Sequence, residues 1–250
     1  MIVPAYMEAR RIADDLETLA KFLKSKEYGR VEVLVVVADS PDGTASIAGS
    51  KAKLFKHFRV VHAGPRAGKG RDVRLGIFEA KGRYRVFMDA DLATPLHHLD
   101  DFKQAVIDQH KPVGIAVRNL VSTHKTWERK LITAGGNFLI QATLLPGLKD
   151  TQCGFKIFEA RAAEEIFSRM TILGWGFDLE VLAIARQLHY EITTIEAPDW
   201  RDPKANDSGL SGDSASKAAV QVLADLVKVR TGLWFGRYRT PNYSHKAMYT

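Results

Sequence analysis

The sequence predicts a single-domain α/β protein in which helices flank a mostly parallel β-sheet. Short apolar segments alternate along the chain with longer segments whose apolar residues recur at helical spacing. The chain has 250 residues, 46% of them hydrophobic, which is enough for one substantial core. No internal repeat divides it. Division into two domains is the alternative that this length leaves open.

The first half of the chain alternates regularly between predicted strands and helices. Strands are expected where apolar runs end in a turn or a polar residue, at 1–6, 31–39, 58–63 and 84–89. The run VEVLVVVAD is almost continuously apolar, which is typical of a parallel strand buried on both faces. Helices are expected at 9–25, 42–54, 71–81 and from Pro95 onwards. In the first of them Ile12, Leu16 and Leu19 share one face.

The second half continues the same alternation. The segments predicted to be strands are 112–117, 154–160 and 191–200, and those predicted to be helices are 127–145, 161–169, 177–189 and 215–230. This order favours a sheet covered by helices on both faces. Sequential elements of this kind usually pack beside one another.

Positive charge is concentrated at the C-terminal end. The net charge is +7, and from Lys217 onwards six lysines and arginines face one acid, Asp225. Such an end suits anionic lipid, a phosphorylated substrate or nucleic acid, or it is an ordinary solvated surface. The basic residues are not interleaved with aromatic ones in an RNA-reading pattern, so no nucleic-acid partner is expected. We divide the chain into a catalytic domain at 1–230 and a basic, aromatic tail at 231–250.

Cysteine content and hydropathy predict the compartment. Cys153 is the single cysteine and is expected to be a buried small residue, so a reducing, cytoplasmic environment is favoured. No apolar window is long enough to cross a bilayer. Apolar residues at 136–148, and Trp234 and Phe235 beside arginines, fit either core packing or contact with a membrane surface.

Two aspartates stand one residue apart at the end of a predicted strand. The stretch RVFMDADLATP runs from apolar residues into Asp89 and Asp91 and stops at Pro95. Residues two apart in a strand point to the same side, so these carboxylates would repel unless a cation intervened. Hard oxygen ligands suit Mg²⁺ or Mn²⁺, bound together with substrate phosphates. A plain strand end followed by a capping acid is the other interpretation.

Further candidates follow neighbouring strands, and ligands bind open parallel sheets at the carboxyl ends of strands. Lys69 and Arg74 lie around a glycine turn at a helix start, where backbone N–H groups and cations can receive phosphate oxygens. Asp39 ends an apolar strand and could accept the imide N–H of uracil, whereas Ser40 or Asp42 is expected to cap the next helix. The sequence has no GxGxxG or GxxxxGK[ST] motif, which disfavours a dinucleotide-dependent dehydrogenase and a P-loop enzyme.

Seven stretches resemble, in order, those of family 2 glycosyltransferases with the GT-A fold: VPAYMEARRI, VADSPDGT, GKGRDVRLG, FMDADLATP, RNL, DTQCGFKIF and FDLEVL. They are similar to the polyprenyl-phosphate branch, which includes dolichyl-phosphate glucosyltransferases and mannose synthases. The resemblance covers about residues 2–230. It implies a Rossmann-like sheet, a nucleotide-sugar donor, Mg²⁺ or Mn²⁺, and inversion at the anomeric carbon of a transferred hexose.

The resemblance also implies roles for residues at the donor site. Asp91 matches the principal metal ligand, and Asp89 matches a residue that contacts the ribose or the metal. The positions that match base, ribose and nucleotide contacts are Pro4, Ala5, Glu8, Asp39, Lys69 and Arg74. Two departures bear on the base: Met7 stands where the family has asparagine, and Ala38 where it has an acid. UDP-glucose is favoured as donor, and GDP-mannose is the alternative.

The implied acceptor is a polyprenyl monophosphate. Candidates for contact with its phosphate are Arg118, Arg129, Arg201 and Lys204. This phosphate is already anionic at neutral pH and needs positioning more than deprotonation. Asp178 and Asp150 are nevertheless candidates for a catalytic base or an orienting group, with a helix cap and a loop end as the alternatives.

Several alternatives remain at this point. A GT-A transferase with a soluble saccharide acceptor, a non-enzymatic nucleotide binder and a nucleotidyltransferase all share part of the pattern. Peripheral contact with the cytoplasmic face of a membrane is expected, and either a membrane-anchoring partner or a homo-oligomer could complete the enzyme. His97 and His98 are adjacent, which we expect to prevent joint chelation from a helix, so a structural or surface role is predicted for both.

Overall fold

Seven strands form one sheet in the computed structural model, which describes residues 1–118, 139–201 and 212–242. The strands are β1 Ile2–Ala5, β2 Val33–Ala38, β3 Phe58–Gly64, β4 Tyr84–Met88, β5 Val113–Arg118, β6 Phe155–Glu159 and β7 Ile192–Ala197. Their order across the sheet is β3-β2-β1-β4-β6-β5-β7. Among the strands of the described residues, only β6 runs antiparallel to its neighbours, β4 and β5. The mostly parallel sheet predicted from the sequence is therefore confirmed.

Helices cover both faces of this sheet. They are α1 Ile12–Lys24, α2 Thr44–Ser50, α3 Lys69–Glu79, α4 His98–Phe102, α5 Ala160–Phe167, α6 Phe177–Gln187 and α7 Gly212–Trp234. A single 3₁₀ turn, Ala52–Leu54, follows α2, and a π-helical turn, Lys103–Ile107, continues α4. Of the helix predicted at 127–145, residues 139–143 are helical and 127–138 lie outside the described residues.

Side chains of β2 alternate between two cores, one on each face of the sheet. Leu34 and Val36 pack in the core formed with α3, α5 and α6. Val33, Val35 and Val37 pack in the core formed with α1, α2 and α4. Burying each valine contributes about 1.5–3 kcal/mol, so this strand anchors both layers.

Helix α3 begins two residues earlier than predicted, at Lys69 rather than Arg71. Gly68 precedes it with φ 119°, and a Cβ atom there would stand 2.3 Å from the carbonyl oxygen of Leu173. Only glycine fits this close approach in that conformation. Lys69 consequently lies in the first helical turn and faces the carboxyl ends of β1 and β4.

The apolar segment at 136–148 packs mainly in the core. Ile140, Leu144, Leu145 and Leu148 are buried there, while Leu139 is exposed. Core packing is therefore the correct interpretation for this part of the segment. Phe138 lies outside the described residues.

The C-terminal end combines buried and exposed aromatic residues. Tyr238 is fully buried, whereas Trp234 and Phe235 are 80% and 83% exposed. Helix α7 extends to Trp234, so the predicted domain boundary at 230 falls inside a helix. None of the helices among the described residues has the length and apolar character needed to cross a membrane.

Candidate active site

A cleft of about 490 Å³ opens at the carboxyl ends of β1 and β4. These strands are adjacent, and β2 lies on the other side of β1, so the loops after β1 and β4 diverge and leave a crevice. Six residues predicted for the donor site line it: Pro4, Ala5, Glu8, Lys69, Asp89 and Asp91. The fold thus brings together residues that are more than eighty positions apart in the sequence.

Asp89 and Asp91 each contact a different cation. Lys69 Nζ lies 2.5 Å from Asp89 Oδ1, and Arg11 Nη2 lies 3.3 Å from Asp91 Oδ2. The backbone N–H of Ala93 donates to Asp91 Oδ1 at 3.1 Å, which fixes the carboxylate after the strand. Two like charges at this strand end are therefore compensated by the protein itself, and both carboxylates still border the cleft.

Asp89 is also held from behind by β6. Its backbone N–H donates to the carbonyl of Gly154 at 3.0 Å. A Cβ atom at residue 154 would stand 2.0 Å from Asp89 Oδ2. The glycine of the DTQCGFKIF stretch is therefore required for Asp89 to occupy its position.

Lys69 connects the cleft to a buried ion pair below it. Asp178, 2% exposed, accepts a hydrogen bond from the fully buried Lys156. Burial raises the pKa of Asp178, and the charges of Lys156 and Lys69 offset only part of this effect. Burial acts to lower the pKa of Lys69, but Asp89 and Asp178 act in the opposite direction and leave it above its usual value. Asp178 therefore supports Lys69 from below the cleft surface.

The loop after β1 is held by side chains of the loop after β2. Ser40 Oγ accepts the backbone N–H of Met7 at 2.9 Å, and Thr44 Oγ1 accepts that of Glu8 at 3.0 Å. Asp42 accepts the N–H of Ala9 and that of Thr44. Hydrogen bonds from the Ser40 and Thr44 hydroxyls hold the pKa of Asp42 well below its usual range. The prediction that Ser40 or Asp42 caps the next helix is wrong, because the residue at the start of α2 is Gly43, which has no side chain to cap it. The contact between the two loops was not predicted.

Met7 has a left-handed backbone conformation, with φ 58°, and its side chain is 53% exposed at the rim of the cleft. Asparagine, the residue expected here from the resemblance noted in the sequence, adopts such a conformation more readily than methionine does. The departure noted in the sequence therefore stores strain in the loop as well as removing a polar side chain.

The cleft residues that were not predicted from the sequence include Arg11, Arg66, Asp72 and Trp175. Arg66 stacks on Tyr6 at 4.3 Å from the ring centroid, and Lys69 Nζ lies 5.2 Å from that of Trp175. Asp72 forms a 2.9 Å ion pair with Arg71, and burial raises its pKa. Arg11 could have been predicted, because it lies three residues after Glu8 and pairs with it. Trp175 could not, because it belongs to a loop far away in the sequence.

That loop is anchored by Glu180 of α6. Its buried carboxylate accepts the N–H groups of Thr171 and Ile172 and the hydroxyl of Tyr238, at 2.9, 2.7 and 2.9 Å. The next residue, Leu173, accepts the N–H of Arg71 in α3. One carboxylate therefore ties the loop that carries Trp175 to the C-terminal part of the chain.

A second polar cluster lies at the end of β5. Arg118 makes a two-point ion pair with the buried Asp150, at 2.6 Å and 2.9 Å. Burial alone would raise the pKa of Asp150, but Arg118 outweighs it and leaves this pKa below its usual value. The Arg118 guanidinium also lies 5.1 Å from the ring centroid of Trp200. Asp150 thus fixes the direction of Arg118.

The remaining predicted residues are dispersed. Arg201 follows Trp200, and its N–H donates to the carbonyl of Ala93 just beyond Asp91. Asp39 is exposed at the end of β2, and Arg74 donates to the carbonyl of Met170; neither lines the donor cleft. Arg129 and Lys204 lie outside the described residues.

Comparison with known proteins assigns the family. Residues 1–167 match the sequence profile described as Glycosyl transferase family 2. The chain belongs to glycosyl transferase family 2. It is therefore a glycosyltransferase, and the enzyme class predicted from the motifs is confirmed.

Curated relatives in this family carry one activity name. The chain is 30% identical over 255 residues to the dolichyl-phosphate beta-glucosyltransferase of Dictyostelium discoideum, covering 94% of this chain and 75% of the relative. It is 30% identical over 259 residues to the Saccharomyces cerevisiae protein of that name, covering 96% and 76%. The human protein of that name is 29% identical over 217 residues, covering 81% and 67%. The resemblance to this branch is confirmed.

Two solved structures of other glycosyl-transferring synthases share the fold. Mannosyl-3-phosphoglycerate synthase from Rubrobacter xylanophilus superposes with a TM-score of 0.65 at 16% identity, covering 98% of this chain and 78% of that one. A glucosyl-3-phosphoglycerate synthase from Mycobacterium tuberculosis, solved with Mn²⁺, UDP-glucose and glycerol 3-phosphate, gives 0.60 at 18% identity, covering 92% and 79%. The predicted GT-A fold is thereby confirmed.

Proposed function

We propose that this family 2 enzyme transfers glucose from UDP-glucose, with inversion, to a polyprenyl monophosphate of the dolichyl type. The observation that carries the proposal is the convergence of Asp89, Asp91 and Lys69 on one cleft at the point where the loops after β1 and β4 diverge. The names of the curated relatives support the sugar and the lipid acceptor.

Asp91 and Asp89 fit a divalent cation. Their carboxylate oxygens are hard ligands that border the cleft, and each already contacts a positive charge. The structural relative solved with Mn²⁺ and UDP-glucose supports Mg²⁺ or Mn²⁺ in this role. When bound, such an ion neutralises the diphosphate as it leaves. Lys69 and Arg11 would contribute positive charge at the same place, because both lie against the two carboxylates.

The loop after β1 is proposed to hold the nucleoside. Pro4, Ala5 and Glu8 line the cleft, and hydrogen bonds to the loop after β2 hold the backbone of Met7 and Glu8 in place. Asp39 is proposed as a base contact from the adjacent strand end. Pre-organised backbone lowers the entropy cost of binding the nucleotide.

Arg118 and Arg201 are proposed to bind the acceptor phosphate, with Arg129 and Lys204 as further candidates outside the described residues. One phosphate oxygen attacks the anomeric carbon, the bond from that carbon to the diphosphate oxygen breaks, and the configuration inverts. The attacking oxygen carries negative charge already, so no proton has to be removed. Asp150 and Asp178 therefore act as positioning residues, the first on Arg118 and the second on Lys69.

An exposed face of α7 is proposed to contact the membrane. Val220, Leu223, Val227 and Trp234 are exposed at intervals that place them along one side of the helix, and Phe235 follows. Lys228, Arg230 and Arg237 are exposed nearby. Apolar and basic residues together suit an anionic lipid surface, which we propose to be the cytoplasmic face. A membrane-anchoring partner or a second copy of the chain would add to this contact.

The decisive experiment is a transfer assay with purified protein. UDP-glucose and GDP-mannose are each offered with dolichyl phosphate in detergent, and with a soluble saccharide as the competing acceptor. We expect glucose transfer to the lipid that requires Mg²⁺ or Mn²⁺ and falls on the order of 100-fold in Asp91→Asn. Asp14→Asn, an exposed acid on α1, is the matched control. If only GDP-mannose serves as donor, or only the saccharide serves as acceptor, the proposal is wrong and the corresponding alternative takes its place.

A further inference from the structure

Outside the donor cleft, two histidines and an aspartate approach one another. His97, His98 and Asp199 each offer one ligand atom, and these atoms lie within 4.8 Å of one another. His98 Nε2 is 2.7 Å from Asp199 Oδ1, and His97 Nε2 is 3.4 Å from Asp199 Oδ2. Within the described part of the chain, no other group of three such residues meets this criterion.

The fold places the two histidines differently from the expectation based on sequence. His97 precedes α4 and His98 begins it, so the pair sits at a helix start rather than on a helix face. Their rings lie 4.2 Å apart, and the third ligand comes from the loop after β7, about one hundred residues later in the chain. Adjacent histidines can therefore converge here, and the predicted absence of joint chelation does not hold for this geometry.

His98 also has the hydrogen bond that a metal-binding histidine usually has. Its Nδ1 lies 2.7 Å from Asp101 Oδ2, on the opposite side of the ring from Asp199. A carboxylate on the distal nitrogen fixes the tautomer and directs the other nitrogen towards the ligand site. The His98 side chain is buried, whereas His97 is 55% exposed, so the site is rigid on one side and open to solvent on the other.

We propose that His97, His98 and Asp199 form a zinc site separate from the carboxylates of the donor cleft. Two imidazole nitrogens and one carboxylate oxygen suit Zn²⁺ in a tetrahedral site whose fourth position holds water. Mg²⁺ and Mn²⁺ prefer oxygen ligands, so the two sites differ in metal preference.

The ion would join two segments that flank the proposed acceptor region. Asp199 is followed by Trp200, which packs near Arg118, and by Arg201, whose N–H donates to Ala93. His97 and His98 follow the same segment that carries Asp91 and Ala93. Bound Zn²⁺ therefore fastens the residues after β7 to those after β4, a role in positioning rather than in the transfer itself.

Zinc binding by the full chain tests this proposal. The protein is freed of metal with a chelator and titrated with Zn²⁺ against a chromogenic competitor, in the Asp91→Asn background so that the donor cleft does not contribute. We expect one equivalent of Zn²⁺ to bind, and the affinity to fall at least tenfold in His97→Gln and in Asp199→Asn. His62→Gln, an exposed histidine on β3, is the matched control and should bind as the parent does.

Circular dichroism accompanies each titration, so that a loss of metal binding is distinguished from a loss of folded structure. His97→Gln changes an exposed side chain and is expected to keep the parent spectrum and melting temperature without metal. Co²⁺ substitution gives a second readout, because a site with two nitrogens and one oxygen produces visible absorption that the variant should lose. An unchanged Zn²⁺ affinity in both variants, or no bound equivalent in the Asp91→Asn protein, would overturn the proposal.

Discussion

A Cβ atom at Gly154 would stand 2.0 Å from Asp89 Oδ2, so the backbone of β6 sets the position of a carboxylate at the end of β4. This relationship couples the antiparallel strand β6 to the proposed donor cleft. It also explains why glycine follows Cys153 at this point of the chain. Any larger residue has to displace the carboxylate or the strand.

Gly154→Ala is therefore expected to impair donor binding. The added methyl group pushes Asp89 away from Lys69, and we expect kcat/KM for the nucleotide sugar to fall about tenfold or more, since a displaced catalytic group is costly. Gly174→Ala is the matched control, because a Cβ atom there meets nothing within 4 Å. Steady-state kinetics and calorimetric nucleotide binding measure both. Equal kinetics for the two variants would contradict this account.

Met7→Asn is expected to stabilise the protein. The left-handed backbone conformation of Met7 costs an ordinary residue about 1–2 kcal/mol. Asparagine adopts this conformation at a lower cost in free energy. We expect the free energy of unfolding to rise by about 0.5–1 kcal/mol. Met7→Leu keeps the strain and serves as control. Urea denaturation distinguishes the two, and identical midpoints would show that Met7 is not strained.

Asp150→Asn is expected to destabilise the protein in a pH-dependent way. It leaves the partly buried Arg118 without its buried carboxylate partner, and breaking such a pair costs about 3–5 kcal/mol. The folded pKa of Asp150 is depressed, so its contribution is fully present above the unfolded value of about 3.9 and is lost as the pH falls through the folded pKa. The stability difference between wild type and variant should therefore shrink in acid. A constant difference from pH 7 to pH 3 would contradict the pairing.

Variants of the Lys156–Asp178 pair test whether Asp178 is a positioning residue or a catalytic base. Lys156→Met and Asp178→Asn are each expected to cost several kcal/mol of stability, whereas Lys156→Met with Asp178→Leu recovers much of the loss, as buried pairs replaced by apolar residues do. We expect kcat in the double variant to fall less than 100-fold, with an unchanged pH profile. Complete loss of activity in a stable double variant would instead identify Asp178 as a catalytic base.

Membrane contact through α7 is expected to depend on its exposed aromatic residues. Trp234→Ser with Phe235→Ser should weaken binding to vesicles of anionic lipid several-fold and leave the melting temperature unchanged, because both side chains lie in solvent. Trp175→Ser, 69% exposed beside Lys69, is the control and should bind vesicles normally. Vesicle co-sedimentation gives the comparison. Equal binding by all three proteins would place the lipid contact elsewhere.

The fold was predictable because its signals are local. The apolar runs of β2 and β4 and the helical spacing of Ile12, Leu16 and Leu19 follow from the residues themselves. Strand order was not predictable in the same way. The antiparallel placement of β6 between β4 and β5 depends on tertiary contacts that leave no local pattern.

The residues of the proposed donor cleft were predictable in part. Asp89 and Asp91 stand at the end of a predicted strand, Lys69 lies in a glycine turn at a helix start, and Glu8 came from the resemblance to the family; all four line the cleft. Trp175 was missed, since it belongs to a loop that reaches the cleft only after α6 has packed. Asp178 was found, but its pairing with Lys156 required knowledge of which residues of β6 and α6 face each other.

The carboxylate of Glu180 has a consequence for regulation. It joins the loop that bears Trp175 to Tyr238, four residues beyond the end of α7. If contact with lipid stabilises Tyr238 in its hydrogen bond to Glu180, it also stabilises the position of the loop that carries Trp175 beside Lys69. Thermodynamic reciprocity then requires a bound sugar nucleotide to strengthen attachment to the bilayer by the same factor. The enzyme would be loaded most readily where its acceptor is found.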